Sequence, residues 1–296
     1  MNSKSNRKES TSSHDQIEKE TRWVGLLIIP FLIVASAMLY IWPDQTDRLF
    51  AWTIQPPMTA LLMGSGYIGG LYFFARVARA RQWHQVAAGF LAVTGFAALM
   101  GIATALHWDR FHHDHISFFA WASLYATTPF IIFGVWLRNR RADPSIANPH
   151  DRKVPVLVRW GMGIAGAVIL LVGLLLFSIP ELMIPLWPWQ LSALTARVVG
   201  GFFTLPGVGW LVLARDPRWS AAKVFLESQF IGIVLILVGA ARAWGDFDPG
   251  NAATAIFIGG MSLLALAILG FYVAMESGER EVHEPYPNKS TSGKLF

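Results

Sequence analysis

The stretch RNRRADPSIANPHDRKVPVLVR, Arg138 to Arg159, decides how the chain is read. It concentrates Arg138, Arg140, Arg141, Arg152, Lys153 and Arg159, and the apolar pattern that precedes it recurs after it. Before it lie runs at Trp23–Trp42, Pro57–Ala75, Val86–Trp108 and Ile116–Leu137; after it lie Val156–Ser178, Leu191–Ala214, Ala222–Trp244 and Ala252–Met275. A bilayer core about 30 Å thick takes about 20 apolar residues per helix, and lipid leaves backbone polar groups no partner outside the segment. The expected fold is therefore an all-α transmembrane, eight-helix bundle from two parallel four-helix repeats.

Composition agrees. Of 296 residues, 54% are hydrophobic and only 15% charged, with a mean hydropathy of +0.43, too apolar for an ordinary soluble domain. The net charge of +5 does not point to nucleic acid, because the basic residues sit in short loops between apolar runs. Zero cysteines exclude disulfides, thiolate metal sites and a cysteine nucleophile.

The loops sort by charge. Arg76, Arg79 and Arg81 follow the second run, the quoted linker follows the fourth, and Arg215, Arg218 and Lys223 surround the joint between the sixth and seventh. The alternate loops carry Asp44 and Asp47, Asp109 and Asp114, Glu181, then Asp246 and Asp248. The positive-inside rule places the basic loops and both termini in the cytoplasm, in a cytoplasmic (inner) membrane. The expected division is a disordered polar tail over 1–22, a first repeat over 23–137, the linker over 138–155, a second repeat over 156–275 and a second tail over 276–296. Ala35-Ser36-Ala37 resembles a signal-peptidase site, but the apolar run continues past it and its counterpart at Val156–Ser178 would be orphaned by cleavage.

Landmarks carry the duplication. Trp52 and Gln55 match Trp187 and Gln190 at one offset; one residue further along, Arg79, Trp83, Ala105, Trp108, Phe111 and Gly134 match Arg215, Trp219, Ala241, Trp244, Phe247 and Gly270. Four helices per copy insert both copies the same way round, giving parallel repeats about an axis along the membrane normal. Gly66 and Gly70, Gly161, Gly163 and Gly166, Gly200 and Gly201, and Gly259 and Gly260 are expected to mark packing seams. Trp42, Trp52, Trp83, Trp108, Trp187, Trp189, Trp219 and Trp244 fall near helix ends, as in interfacial aromatic belts.

Chemistry has three candidate places. His107-Trp108-Asp109-Arg110-Phe111-His112-His113-Asp114-His115 combines imidazole and carboxylate, so His107, Asp109, His112, His113, Asp114 and His115 are candidate ligands for a divalent metal. The counterpart Ala243-Trp244-Gly245-Asp246-Phe247-Asp248 has no histidine, so such a site would belong to one copy. The competing readings are a solvated interfacial loop and a pH-sensing loop. Ionisable residues inside a bilayer call for a functional hypothesis: Arg197, about 9 Å into the sixth helix at 1.5 Å per residue, and Arg242 form a candidate outward-facing anion site with Gln190 as donor. Snorkelling or pairing with Glu181, Asp246 or Asp248 is the plainer account. Glu227 has Lys223 four residues earlier, the spacing of a helical ion pair. Third, Pro206 and Gly207 are expected to interrupt the sixth helix where the second carries Gly64, Gly66, Gly69 and Gly70, a feature of transporter binding sites.

No histidine lies within a helix interior and no lysine lies mid-membrane, which disfavours haem and retinal. The stretch Trp187-Pro188-Trp189-Gln190-Leu191-Ser192-Ala193-Leu194-Thr195-Ala196-Arg197-Val198-Val199-Gly200, with Trp244 to Asp248 downstream, resembles an uncharacterised family of bacterial multi-pass integral membrane proteins. That resemblance spans the second copy and implies no activity. The leading functional expectation is a transporter or permease with a solute or ion site between the repeats. The alternative is a non-catalytic membrane subunit or scaffold docking partner helices, other membrane subunits or a second copy of itself; the third is a metal-binding membrane protein using the histidine loop. With no nucleotide-binding loop or nucleophile constellation, an enzyme is disfavoured.

Overall fold

The computed structural model describes residues 15–143 and 151–282. Eight long helices carry the chain: α1 Lys19–Ile41, α2 Pro57–Arg79, α3 Ala87–Leu106, α4 Ile116–Asn139, α5 Val156–Ser178, α6 Ala193–Leu213, α7 Trp219–Arg242 and α8 Ala252–Val282. Each is long and apolar enough to cross a membrane, so the chain is a multi-pass membrane protein. Local chemistry sets the helix starts. Pro57 opens α2, where its missing N–H costs nothing. Ser192 and Thr195 form a reciprocal capping box at the start of α6, each hydroxyl accepting the other residue's N–H.

Some boundaries move. Helix α1 begins at Lys19 instead of Trp23, and the residues before it are tied down: the Ile17 amide donates to the Arg81 carbonyl (3.2 Å) and the Trp83 amide to that of Asp15 (3.1 Å). Helix α8 continues to Val282, past the expected end at Met275. The remaining tail expectations for 1–14 and 283–296, and the linker residues 144–150, lie outside the described residues.

Burial divides the helices. Within their apolar windows, 67% of α2 and 61% of α6 are buried, 44% of α3 and α7, and no more than 28% of the other four. Four helices thus make the interior and four face outward with side chains such as Leu27, Ile116 and Leu157 exposed, which lipid accepts without penalty. Helix α2 packs between α1 and α7, and α6 between α5 and α3. The helices before the linker therefore interlock with those after it.

Glycine permits the closest of these contacts. A Cβ on Gly173 would stand 2.7 Å from the Gly200 carbonyl oxygen, and one on Gly207 2.8 Å from Leu170 Cα, so α5 and α6 touch backbone to backbone. Gly66 receives the Phe202 ring of α6. The seam expectation fails for Gly161, Gly259 and Gly260, which meet nothing within 4 Å. Proline does not break α6 either: the helix runs continuously through Pro206, as α1 does through Pro30 and α4 through Pro129.

The tryptophans also divide. Trp42, Trp108 and Trp244 are exposed at helix ends, as a belt requires, whereas Trp52, Trp83, Trp187, Trp189 and Trp219 are buried. Trp52 packs with Phe50, Phe111 and Trp121, and Trp189 with Trp187, Phe247 and Phe257, in largely edge-to-face clusters that close one end of the bundle.

Candidate functional site

The interlock leaves a space. Residues of all eight helices line a cavity of about 170 Å³ in the middle of the bundle, including Gly66, Gly70, Phe96, Phe202 and Pro206. Tyr67, Phe96, Tyr125 and Phe202 form one aromatic wall, with ring centroids 4.7 to 5.8 Å apart at successive contacts. The wall arises because Gly66 has no side chain to hold Phe202 away.

Among the described residues, no charged side chain lines the cavity. The Tyr67 and Tyr125 hydroxyls satisfy each other at 2.8 Å, and Ser228 donates to the Gly69 carbonyl (2.8 Å). Buried hydroxyls paired in this way leave little polarity to a guest. The Gln229 amide is the exception, facing the cavity with no protein hydrogen bond among the described residues.

The sequence-nominated residues lie elsewhere. Arg197 donates to Nε2 of His107 (2.8 Å), tying α6 to the end of α3. Burial, reinforced by the Arg197 charge, holds the His107 imidazole below its ordinary range, consistent with a neutral ring accepting at Nε2. Arg242 instead donates to the Tyr40 carbonyl (2.6 Å) and lies over the Tyr40 ring. Gln190 is exposed in the loop before α6. Arg197 and Arg242 thus each have a partner of their own, and no hydrogen bond joins either to the other or to Gln190 among the described residues.

Glu227 pairs with Arg76 instead of Lys223, and also accepts from Tyr72 (2.6 Å) and Tyr272 (2.8 Å). Lys223 reaches Glu276 on α8, 2.9 Å from each carboxylate oxygen. These bonds fasten α8 and α2 to α7. The spacing argument missed them because both partners are remote in sequence.

The histidine loop is similarly dispersed. His112 Nε2 lies 3.2 Å from the Thr53 hydroxyl, His113 packs against Trp108 and Phe118, His115 meets the His112 ring, and Asp109 faces Arg110 at 3.6 Å. Asp114 is exposed. Among the described residues, no three His, Asp or Glu side chains gather as metal ligands.

One histidine outside the loop at 107–115, His84, lies between α2 and α3. It is buried, with Nδ1 against Asp15 and Nε2 2.7 Å from the Ser220 hydroxyl, which donates to Asp151. The Asp–His–Ser order is that of an activated nucleophile, but the serine proton is committed to Asp151. The chain of bonds is a clasp between the loop before α3 and the start of α7.

No protein family, curated protein or solved structure matches the chain. What stands of the family resemblance is its coarser content, a multi-pass membrane protein.

Proposed function

We propose that the chain is a carrier or permease for an apolar small molecule, built as two parallel four-helix repeats with the binding site between them. The observation that carries this reading is the cavity shared by all eight helices and free of charge. An apolar cavity of this size stays dry and accepts apolar guests, whereas the scaffold alternative calls for a filled seam. Arg197, where an ion or anion site was expected, spends one terminal nitrogen on His107 and is not among the residues lining this cavity.

The repeat is supported by exchange. Helix α2 packs on α7 while its counterpart α6 packs on α3. At the His84–Ser220 separation of 136 residues, cavity residues pair off, Gly66 with Phe202, Phe96 with Gly232 and Tyr125 with Met261. Amide contacts repeat as well: His84 N–H donates to Asp15 and Ser220 N–H to Asp151, both at 3.2 Å.

Gly70→Leu tests the site. A Cβ there would meet only Leu32 Cδ1, at 3.7 Å, so the larger side chain enters the cavity without striking backbone. A diazirine-bearing fatty acid should photolabel cavity residues in reconstituted wild-type protein and in Gly95→Leu, whose Cβ meets nothing within 4 Å. Gly70→Leu should lose that labelling while remaining folded. Equal labelling of the cavity in all three would sink the reading.

A further inference from the structure

A second space of about 900 Å³ lies at the linker end, where the start of α1 meets the end of α2. Its cationic lining is Arg22, Arg76, Arg79 and Arg81, with Gln82 and Gln85 beside them. Glu227 neutralises Arg76, and His84 occupies Asp15, the basin's carboxylate. Arg79 and Arg81 are exposed and have no ion pair among the described residues. Arg22 uses one terminal nitrogen on the Ala80 carbonyl (2.9 Å), but its Nε is buried with no partner.

Arginines beside a helix C-terminus are ordinarily explained by the helix dipole and the positive-inside rule. The second half of the chain holds the same elements and resolves them differently. There Arg159, at the start of α5, spends Nε on the Ala214 carbonyl (3.0 Å) and a terminal nitrogen on that of Arg215 (3.1 Å). Arg218 is held by Asp143 and Asp216. Burial alone would depress the Arg218 guanidinium, but its bonds to those carboxylates keep it well above its ordinary value. At the His84–Ser220 separation, Asp216 corresponds to Ala80 and Pro217 to Arg81. The first half thus lacks the acid and keeps two bases, Arg81 standing one place before Gln82, which corresponds to Arg218.

We infer that this basin is a binding site for a phosphate-type anion, held by Arg22, Arg79 and Arg81. Guanidinium forks match phosphate oxygens in paired hydrogen bonds, and a dianionic group would balance the charge of Arg79 and Arg81, which no carboxylate meets among the described residues. The site is separate from the central cavity and stands without it. Its height at the helix ends is that of a lipid headgroup, so the phosphate can belong to a phosphomonoester lipid or be free in solution.

The test uses the full chain in phosphatidylcholine nanodiscs, with and without phosphatidic acid, and inorganic phosphate titrated into the phosphatidylcholine sample. Thermal stability and native mass spectrometry report binding. Phosphatidic acid retained and stabilising, with inorganic phosphate weak, assigns the lipid source; saturable inorganic phosphate binding without lipid retention assigns the free source. The double variant Arg79→Gln/Arg81→Gln, at exposed unpaired positions, should weaken the retained ligand by on the order of tenfold or more. Arg140→Gln/Arg141→Gln removes the same charge outside the basin and should bind as wild type, and so should Gly70→Leu. Equal weakening by both arginine pairs, or no response to either phosphate source, overturns the inference and leaves the cavity reading untouched.

Discussion

His107 and Arg197 show how a membrane protein can hold an arginine without a carboxylate. The imidazole accepts the guanidinium's hydrogen bond, which requires a neutral ring, and burial together with the nearby cation depresses its proton affinity. Because the folded value lies below the ordinary 6.5, the contribution to stability is complete above that pH and is lost as pH falls through the folded value. The thermal midpoint of wild-type protein should therefore drop as pH falls below 6.5, and that of His107→Gln should drop less; parallel declines would refute the assignment. Neither residue advertised the other in sequence, since 90 positions separate them. Arg76 and Glu227, 151 apart, were hidden in the same way, and Lys223 was a plausible but mistaken neighbour. Side-chain spacing reports only pairs on one helix, and here the decisive pairs join different helices.

Among the elements, the helices themselves were legible and their packing faces were not. Val156–Ser178 was bounded correctly because apolar length and flanking polarity suffice to define a span. Gly200 and Gly259 look alike in sequence, yet one abuts another backbone and the other faces open space. Gly200→Ala should cost about 1–3 kcal/mol by forcing α5 and α6 apart, whereas Gly259→Ala should stay within about 0.5 kcal/mol. Unfolding of both variants in a mixed-micelle titration checks the contrast, and equal costs would count against the α5–α6 contact. The buried indoles were hidden for a related reason: Trp42 and Trp52 both lie in the connection between α1 and α2, and the neighbouring rings of Phe50, Phe111 and Trp121 withdraw the latter from the surface.

For the molecule as a whole, the absence of cysteine makes topology directly measurable. With the proposed orientation, Arg140→Cys should resist a membrane-impermeant maleimide in intact cells and react after permeabilisation, while Asp109→Cys should react in both. Labelling of position 140 from outside would invert the layout. The cavity itself was anticipated only as a seam between two halves; its apolar character was not, because it depends on Tyr67 meeting Tyr125 and on Phe202 leaning over Gly66.

The uninterrupted course of α4 through Pro129 and of α6 through Pro206 has one more effect. Each imino acid deprives the residue four places earlier of the amide that would ordinarily claim its main-chain oxygen, and those residues are Tyr125 and Phe202, both at the cavity wall. The Tyr125 oxygen lies 2.9 Å from where a Cβ on Gly101 would stand, so the acceptor that Pro129 leaves unclaimed is seated against a bare glycine of α3, and any larger residue at position 101 would press on it.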